Sequence, residues 1–224
     1  MFICDLNSQN KYSIGLSYYP NYSVQTIRPD SLNSIRFHPI KEMPIFANAF
    51  GLNARYKCSR ILYAKLGLLY SERGTEVTLT KSNYSGPDFF NDYYKIKYRY
   101  VYLDVPLDVQ LKHPFKNKER AYLVTNVGFT YKLRCKSYYI AEKDGVKESK
   151  VDETKFVGFP SYYKKNSVCV NIGFGLGFKV KALDFIIQPL YRHDITPALK
   201  VNHVRMFQSS LGLETSCFLN LESK

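Results

Sequence analysis

One stretch limits what this chain can fold into more than any other. From Ser167 to Val180 the residues alternate without a break. Val168, Val170, Ile172, Phe174, Leu176, Phe178 and Val180 share one parity. Ser167, Cys169, Asn171, Gly173, Gly175, Gly177 and Lys179 share the other. Strict period two is the mark of a strand with two unlike faces. A strand in a soluble sheet runs about five to six residues, whereas a membrane-spanning strand needs about 9–11. The small face, with three glycines in succession, suits the crowded interior of a narrow barrel.

Seven further segments follow the same rule. The first sets Tyr12, Ile14, Leu16 and Tyr18 against Ser13, Gly15 and Ser17. The second, Pro44 to Lys57, sets Phe50, Leu52, Ala54 and Tyr56 against Ala49, Gly51, Asn53 and Arg55. Others are expected at Ile61 to Leu79, Lys95 to Lys112, around Leu123 to Tyr131, Leu183 to His193, and His203 to Leu219. Short connections fall at Cys58-Ser59, Pro114 to Glu119 and Lys181 to Asp184. Long ones run from Asn21 to Met43, Thr80 to Tyr94, Cys135 to Lys165 and Asp194 to Asn202. Short turns on one side and long loops on the other are the pattern of an outer-membrane barrel, and an even strand count puts both termini at the short-turn, periplasmic end. The expected fold is therefore all-β: an eight-stranded antiparallel up-and-down transmembrane barrel over residues 11–219. Residues 1–10 read as a signal-peptide remnant or tail, and 220–224 as a C-terminal tail.

Composition agrees. No run approaches the roughly 18 apolar residues of a spanning helix, and mean hydropathy is −0.29. A barrel escapes that test because every second residue turns inward. The 20 tyrosines and 15 phenylalanines suit strands and interfacial girdles. A net charge of +13 is compatible with nucleic acid, with anionic lipid phosphates, or with a solvated surface. The cations are spread over strand ends and loops, not gathered in one stripe, which disfavours nucleic acid. Five cysteines without a C-x-x-C pair or a histidine cluster give no zinc or redox motif, so no metal or cofactor is expected.

The fourth strand locates the charges. Val101, Leu103, Val105, Leu107, Val109 and Leu111 form an apolar band of about 25 Å at a barrel's tilt. Above it on the same face stand Lys95, Lys97 and Arg99, at the level of lipopolysaccharide phosphates, or else of a solvated loop stem. The other face holds Asp104, Asp108 and Pro106. Inward charges are expected at Arg55, Lys65, Asp104, Asp108, Lys132, Lys179, Arg192 and Glu214. In a barrel this narrow they must pair or stay wet, and an ion-pair network plugging the lumen is expected. Pro106 removes a ladder donor, which predicts a bulge or a locally exposed edge.

Tyr100 to Lys112 resembles the Y-x-E-I-P-L-x-x-K strand of the PorT-like outer-membrane β-barrel family common in Bacteroidetes. Leu68 to Gly74 is similar to its L-x-Y-S-x-K-G stretch, Asn171 to Phe178 to its Gly-rich strand, and Gln188 to Arg192 to the strand after it. Asp104 and Val105 stand where the family usually has Glu and Ile. The resemblance covers about residues 11 to 218 and implies an eight-stranded outer-membrane barrel. It implies little about task, although some members are accessory subunits of envelope machines.

The expected role is structural or interactive, not enzymatic. Outer-membrane lipid, lipopolysaccharide and other envelope proteins are the expected partners; nucleic acid and a small-molecule substrate are not. The loop from Cys135 to Lys165 is the expected external contact, with Lys143-Asp144-Gly145 as a hairpin turn. The alternative is a lipid acyl hydrolase or transferase at the outer rim, using His193, His203 and Asp194. Serine chemistry there would need all its groups within hydrogen-bond reach, and Ser209 and Ser210 fall roughly 20 Å from His203 along an extended chain. A soluble lipocalin-like cup would need its aliphatic face inside, where the small and charged face must go.

Overall fold

The computed structural model describes residues 11–29, 42–79, 94–115, 118–143, 146–151, 164–201 and 204–221. The strands are β1 (Tyr12–Pro29), β2 (Glu42–Lys57), β3 (Leu62–Leu79), β4 (Tyr94–Phe115), β5 (Lys118–Lys143), β6 (Val146–Val151), β7 (Asn166–Val180), β8 (Leu183–Asp194), β9 (Leu199–Val201) and β10 (Val204–Leu221). Eight of them form an antiparallel ring in the order β1-β2-β3-β4-β5-β7-β8-β10, and β10 pairs back to β1. That closing seam runs from Tyr12↔Leu221 to Pro29↔Val204. Closure leaves no edge, the condition for a sheet in hydrocarbon, where an unpaired backbone group costs several kcal/mol. The fold is thus an eight-stranded up-and-down barrel with the expected alternation of short and long connections.

The ring is inside-out relative to a soluble protein. Leu16, Leu52, Leu107 and Leu211 stand outward with about 60% of their surface exposed, while Asn53, Asp104, Asn126 and Lys132 are buried. Aromatic pairs border the apolar band. At the short-turn end are Tyr12–Tyr56 (5.2 Å) and the stacked Phe178–Phe185 (5.0 Å). Towards the long-loop end are Tyr22–Phe46 (5.8 Å) and Phe50–Tyr70 (5.2 Å). Two such belts frame a membrane.

Tight turns close the short-turn end. Cys58 and Ser59 both donate to the Leu62 carbonyl, and the Ser59 hydroxyl accepts from Leu62 N–H. Lys181 and Ala182 join β7 to β8, with Lys181 at φ 54°, as a two-residue hairpin requires.

The strand boundaries differ from those expected. Strands continue beyond the apolar band, so Asn21–Pro29 and Cys135–Lys143, expected in loops, belong to β1 and β5. Their backbones stay paired with equally long neighbours, and in β1 Asn21, Ser23 and Gln25 keep the inward parity. β5 also pairs with β6, Lys143 opposite Val146 and Tyr138 opposite Val151, in keeping with the hairpin signal between them. The external segment is thus in part a two-stranded ribbon. At Pro106 there is no bulge; the β3–β4 ladder opens locally instead, the second of the two outcomes expected. The β3–β4 ladder omits its pairs at Val105 and Pro106 and resumes in the same register at Asp104. The opposing residue is Gly67, where a Cβ would lie 2.9 Å from Pro106 Cγ. The glycine makes the space that the ring needs.

Candidate functional site

Period two delivers alternate side chains of all eight strands into one narrow lumen. Among the described residues, six cations and five carboxylates are buried there: Arg55, Lys65, Arg73, Lys112, Lys132 and Arg192 with Asp104, Asp108, Asp184, Asp194 and Glu214. They lie in layers. At the short-turn end Asp184 accepts from Arg55 Nη2 and Lys112 Nζ, each at 2.5 Å, and from the Tyr122 hydroxyl. Arg55 lies 4.1 Å above the Phe218 ring, and Lys112 packs over Tyr63 and Tyr122 at 4.3 and 4.5 Å. Tyr122, Val124, Ile186 and Phe218 form an apolar plate at the same level. Tyr122 finds room because Gly177 faces it; a Cβ there would lie 2.1 Å from the ring.

Midway, Lys65 bridges Asp108 (3.1 Å) and Glu214 (3.0 Å), and Gln188 donates to Glu214 at 2.5 Å. Asn171 donates to Asp108 and Thr130. Above them Asp104 Oδ2 takes Arg73 at 3.0 Å and Arg192 at 3.3 Å, with Tyr19 stacked on Arg192. Towards the long-loop end Lys132 meets Asp194 at 2.5 Å and Gln208 at 3.4 Å. Every charge in these layers has an opposite neighbour, the requirement for charge away from water.

Seven of the eight residues expected inside, Arg55, Lys65, Asp104, Asp108, Lys132, Arg192 and Glu214, are brought together in these layers. Lys179 is not. It keeps the inward parity of β7 but is exposed, because it stands at the open short-turn mouth, one residue before the strand ends. Sequence reasoning missed Arg73, Lys112 and Asp184, and it gave Asp194 to the rim instead of the lumen. Parity alone would have found them: Lys112 follows Asp104 and Asp108 in phase, and Asp184 precedes Gln188 and Arg192 in phase.

On the outer wall, Lys97 and Arg99 lie above the band as placed from sequence, each beside a carboxylate of β3. Lys97 meets Glu76 and Arg99 meets Glu72, both at 3.1 Å, and the Tyr70 hydroxyl donates to Glu72. Lys95 is exposed. The signal for the acids was the register, which sets Glu76 opposite Lys97.

The proposed rim chemistry is rearranged. Asp194 faces the lumen, tied to Lys132, while His193 faces outward. Consecutive strand residues point to opposite faces, so Asp194 cannot orient His193. His203 lies outside the described residues. The register instead sets Ser209 opposite His193, and His193 Nδ1 and Ser209 Oγ share a 2.8 Å hydrogen bond. His193 stacks between Tyr191 and Phe207. Among the described residues no group of three His, Cys, Asp or Glu side chains is placed to hold a metal ion.

Residues 7–196 match the profile of the outer membrane protein beta-barrel domain family. Among the curated proteins none matches this chain in sequence. Several solved outer-membrane barrels resemble it in structure. The Neisserial surface protein A is 12% identical, with 96% of this chain and all of that one covered, at a TM-score of 0.42. OprG of Pseudomonas aeruginosa is 12% identical, with 92% and 97% covered, at 0.44. AlkL, solved in lipid bilayers, is 12% identical, with 100% and 98% covered, at 0.41.

Proposed function

Since this chain belongs to the outer membrane protein beta-barrel domain family and is a bacterial outer-membrane protein, we propose that it is a non-enzymatic interaction subunit of the envelope, its lumen plugged and its working surface outside. The observation that carries this is the contrast between lumen and exterior. The lumen is filled by paired charges, whereas β3, β4 and β5 rise past the apolar band and carry β6 on the flank of β5. Material invested beyond the membrane serves a partner, and long extracellular segments on a rigid barrel are a common place for one.

Within the family we place the chain with the PorT-like members of Bacteroidetes, on the strength of the Tyr100–Lys112 strand, and assign it to a larger envelope complex. The outward stripe of Lys95, Lys97 and Arg99 is assigned to outer-leaflet lipopolysaccharide phosphates, with Lys95 the most exposed of the three. Purification of a tagged copy in gentle detergent, with mass spectrometry of what accompanies it, tests the reading. A stoichiometric set of envelope proteins that is lost on deleting residues 142–154 is expected. A lone monomer carrying only lipid would overturn it.

One observation favours a second reading, a lipid acyl hydrolase or transferase at the rim: the His193–Ser209 hydrogen bond on the lipid-facing wall. No carboxylate among the described residues bonds to His193. Altered lipid acylation that disappears with Ser209→Ala would put this reading first.

A further inference from the structure

We infer that the short-turn mouth of the lumen binds a small phosphate-bearing anion from the periplasm, with Arg55 at its floor and Lys11, Lys57, Arg120 and Lys179 around its rim. The first observation is the parity of the rim. Lys11 stands in phase with the inward Ser13, Lys57 with Arg55, Arg120 with Tyr122 and Lys179 with Gly177. Lys57 also lies opposite the buried Tyr63. The Lys57 amide donates to the Lys11 carbonyl at 2.8 Å, so the backbone sets these two lysines side by side. Lys11 and Lys57 are half-buried, while Arg120 and Lys179 are exposed. Just inside lie Arg55 and Lys112, and Lys179 is close enough for its charge to act on Lys112. Six cations from around the ring therefore converge on this mouth. Among the described side chains, Asp184 is the one carboxylate that faces them.

The second observation is a set of unmet donors on Arg55. Asp184 has no acceptor to spare: its Oδ2 takes Arg55 Nη2 and Lys112 Nζ, each at 2.5 Å, and its Oδ1 takes the Tyr122 hydroxyl. Arg55 is only 2% exposed, yet its Nε and Nη1 have no acceptor among the described residues. A buried donor left unpaired is costly, and more so on a charged group. Among the described residues none of the four rim cations has a carboxylate partner. The opposite rim differs, since Lys97 and Arg99 are held by Glu76 and Glu72. The walls sharpen the effect. The Arg55 guanidinium packs on Phe218 and Tyr63, 4.1 and 5.0 Å from the ring centres. The plate of Tyr122, Val124, Ile186 and Phe218 closes the bore above. A cleft of one charge sign with weakly polar walls focuses the field on whatever enters it. A phosphate group brings up to about two negative charges and three acceptor oxygens at once. A carboxylate brings a single charge, so the excess of cations favours phosphate over an acidic peptide.

The test is isothermal titration calorimetry of the whole protein in an uncharged detergent at low chloride. Inorganic phosphate and pyrophosphate are the probes, with a glutamate peptide matched to pyrophosphate in net charge as a parallel arm. Saturable binding of one pyrophosphate per barrel is expected, tighter than that of the peptide. Replacing two exposed or half-buried rim cations, Lys57→Gln with Lys179→Gln, is expected to weaken it about tenfold. Lys97→Gln, at the opposite rim, should leave it unchanged. Each variant is first shown to keep the heat-modifiable gel shift of a folded barrel. No saturable binding of either phosphate probe, affinity unaffected by the double change, or an equal loss from Lys97→Gln would each overturn the site. So would tighter binding of the peptide, which would mark the mouth as a dock for an acidic protein segment.

Discussion

At the scale of single residues, Asp184 holds two cations and a tyrosine at the short-turn end of the lumen. Asp184→Asn would leave Arg55 and Lys112 buried with no counter-charge beside them, and breaking a buried pair costs about 3–5 kcal/mol. Urea unfolding in detergent, followed by the loss of heat-modifiable mobility, should show a fall of that size. Lys97→Gln, at a partly exposed pair, should cost less than about 1 kcal/mol. Near-equal effects would contradict the layered network. Glu42 makes a separate prediction at the long-loop end, where β2 begins. Burial pushes its carboxyl up from 4.5 to about 7. Between those values the folded chain keeps a proton that the unfolded chain has released, so this group's contribution to stability falls as pH rises through that window. Glu42→Gln should leave stability at pH 4 unchanged, raise it at pH 8 and flatten the pH profile of thermal unfolding between them. An unchanged profile would show that the carboxyl is solvated.

At the scale of elements, a membrane strand has to satisfy its own backbone before any side chain matters. That is why Pro106 is tolerated in β4: the neighbouring register is kept on both sides of it, and Gly67 clears the space for its ring. It is also why the strands outrun the apolar band. Once paired, a neighbour's free N–H and C=O groups favour continued pairing in water as in lipid. The ribbon of β5 and β6 belongs to this extension and not to the ring. Deleting residues 142–154 should therefore leave the heat-modifiable shift and the unfolding midpoint of the barrel unchanged, whatever happens to a partner. Loss of folding would mean that the ribbon supports the wall.

At the scale of the whole molecule, the lumen is nearly neutral while the chain is not. The buried layers of the described residues carry six cations against five carboxylates, so they account for one unit of the +13. The rest of the +13 is carried by residues other than those in the buried layers. A bore closed by layered ion pairs and by the plate of Tyr122, Val124, Ile186 and Phe218 is expected to be silent in planar bilayers at neutral pH. Resolved conductance steps from purified protein would show that the plug opens and would remove the premise that the working surface lies outside.

The sequence by itself determined the architecture. Period two over strands of membrane length, short and long connections in alternation, and a small polar face admit only one closed arrangement, because the side chains that meet lipid and those that fill the bore are set by parity alone. Parity also marked the lumen as charged, and a stricter use of it would have added Arg73, Lys112 and Asp184. Pairing across strands was legible only in part. Which acid meets which base depends on register, and register is a property of two strands together. It paired Lys97 with Glu76 across β3 and β4 and brought Ser209 to His193. Faces were therefore readable along the chain, while partners and plugs were decided by the tertiary structure, where a shift of one residue exchanges every inward side chain for an outward one.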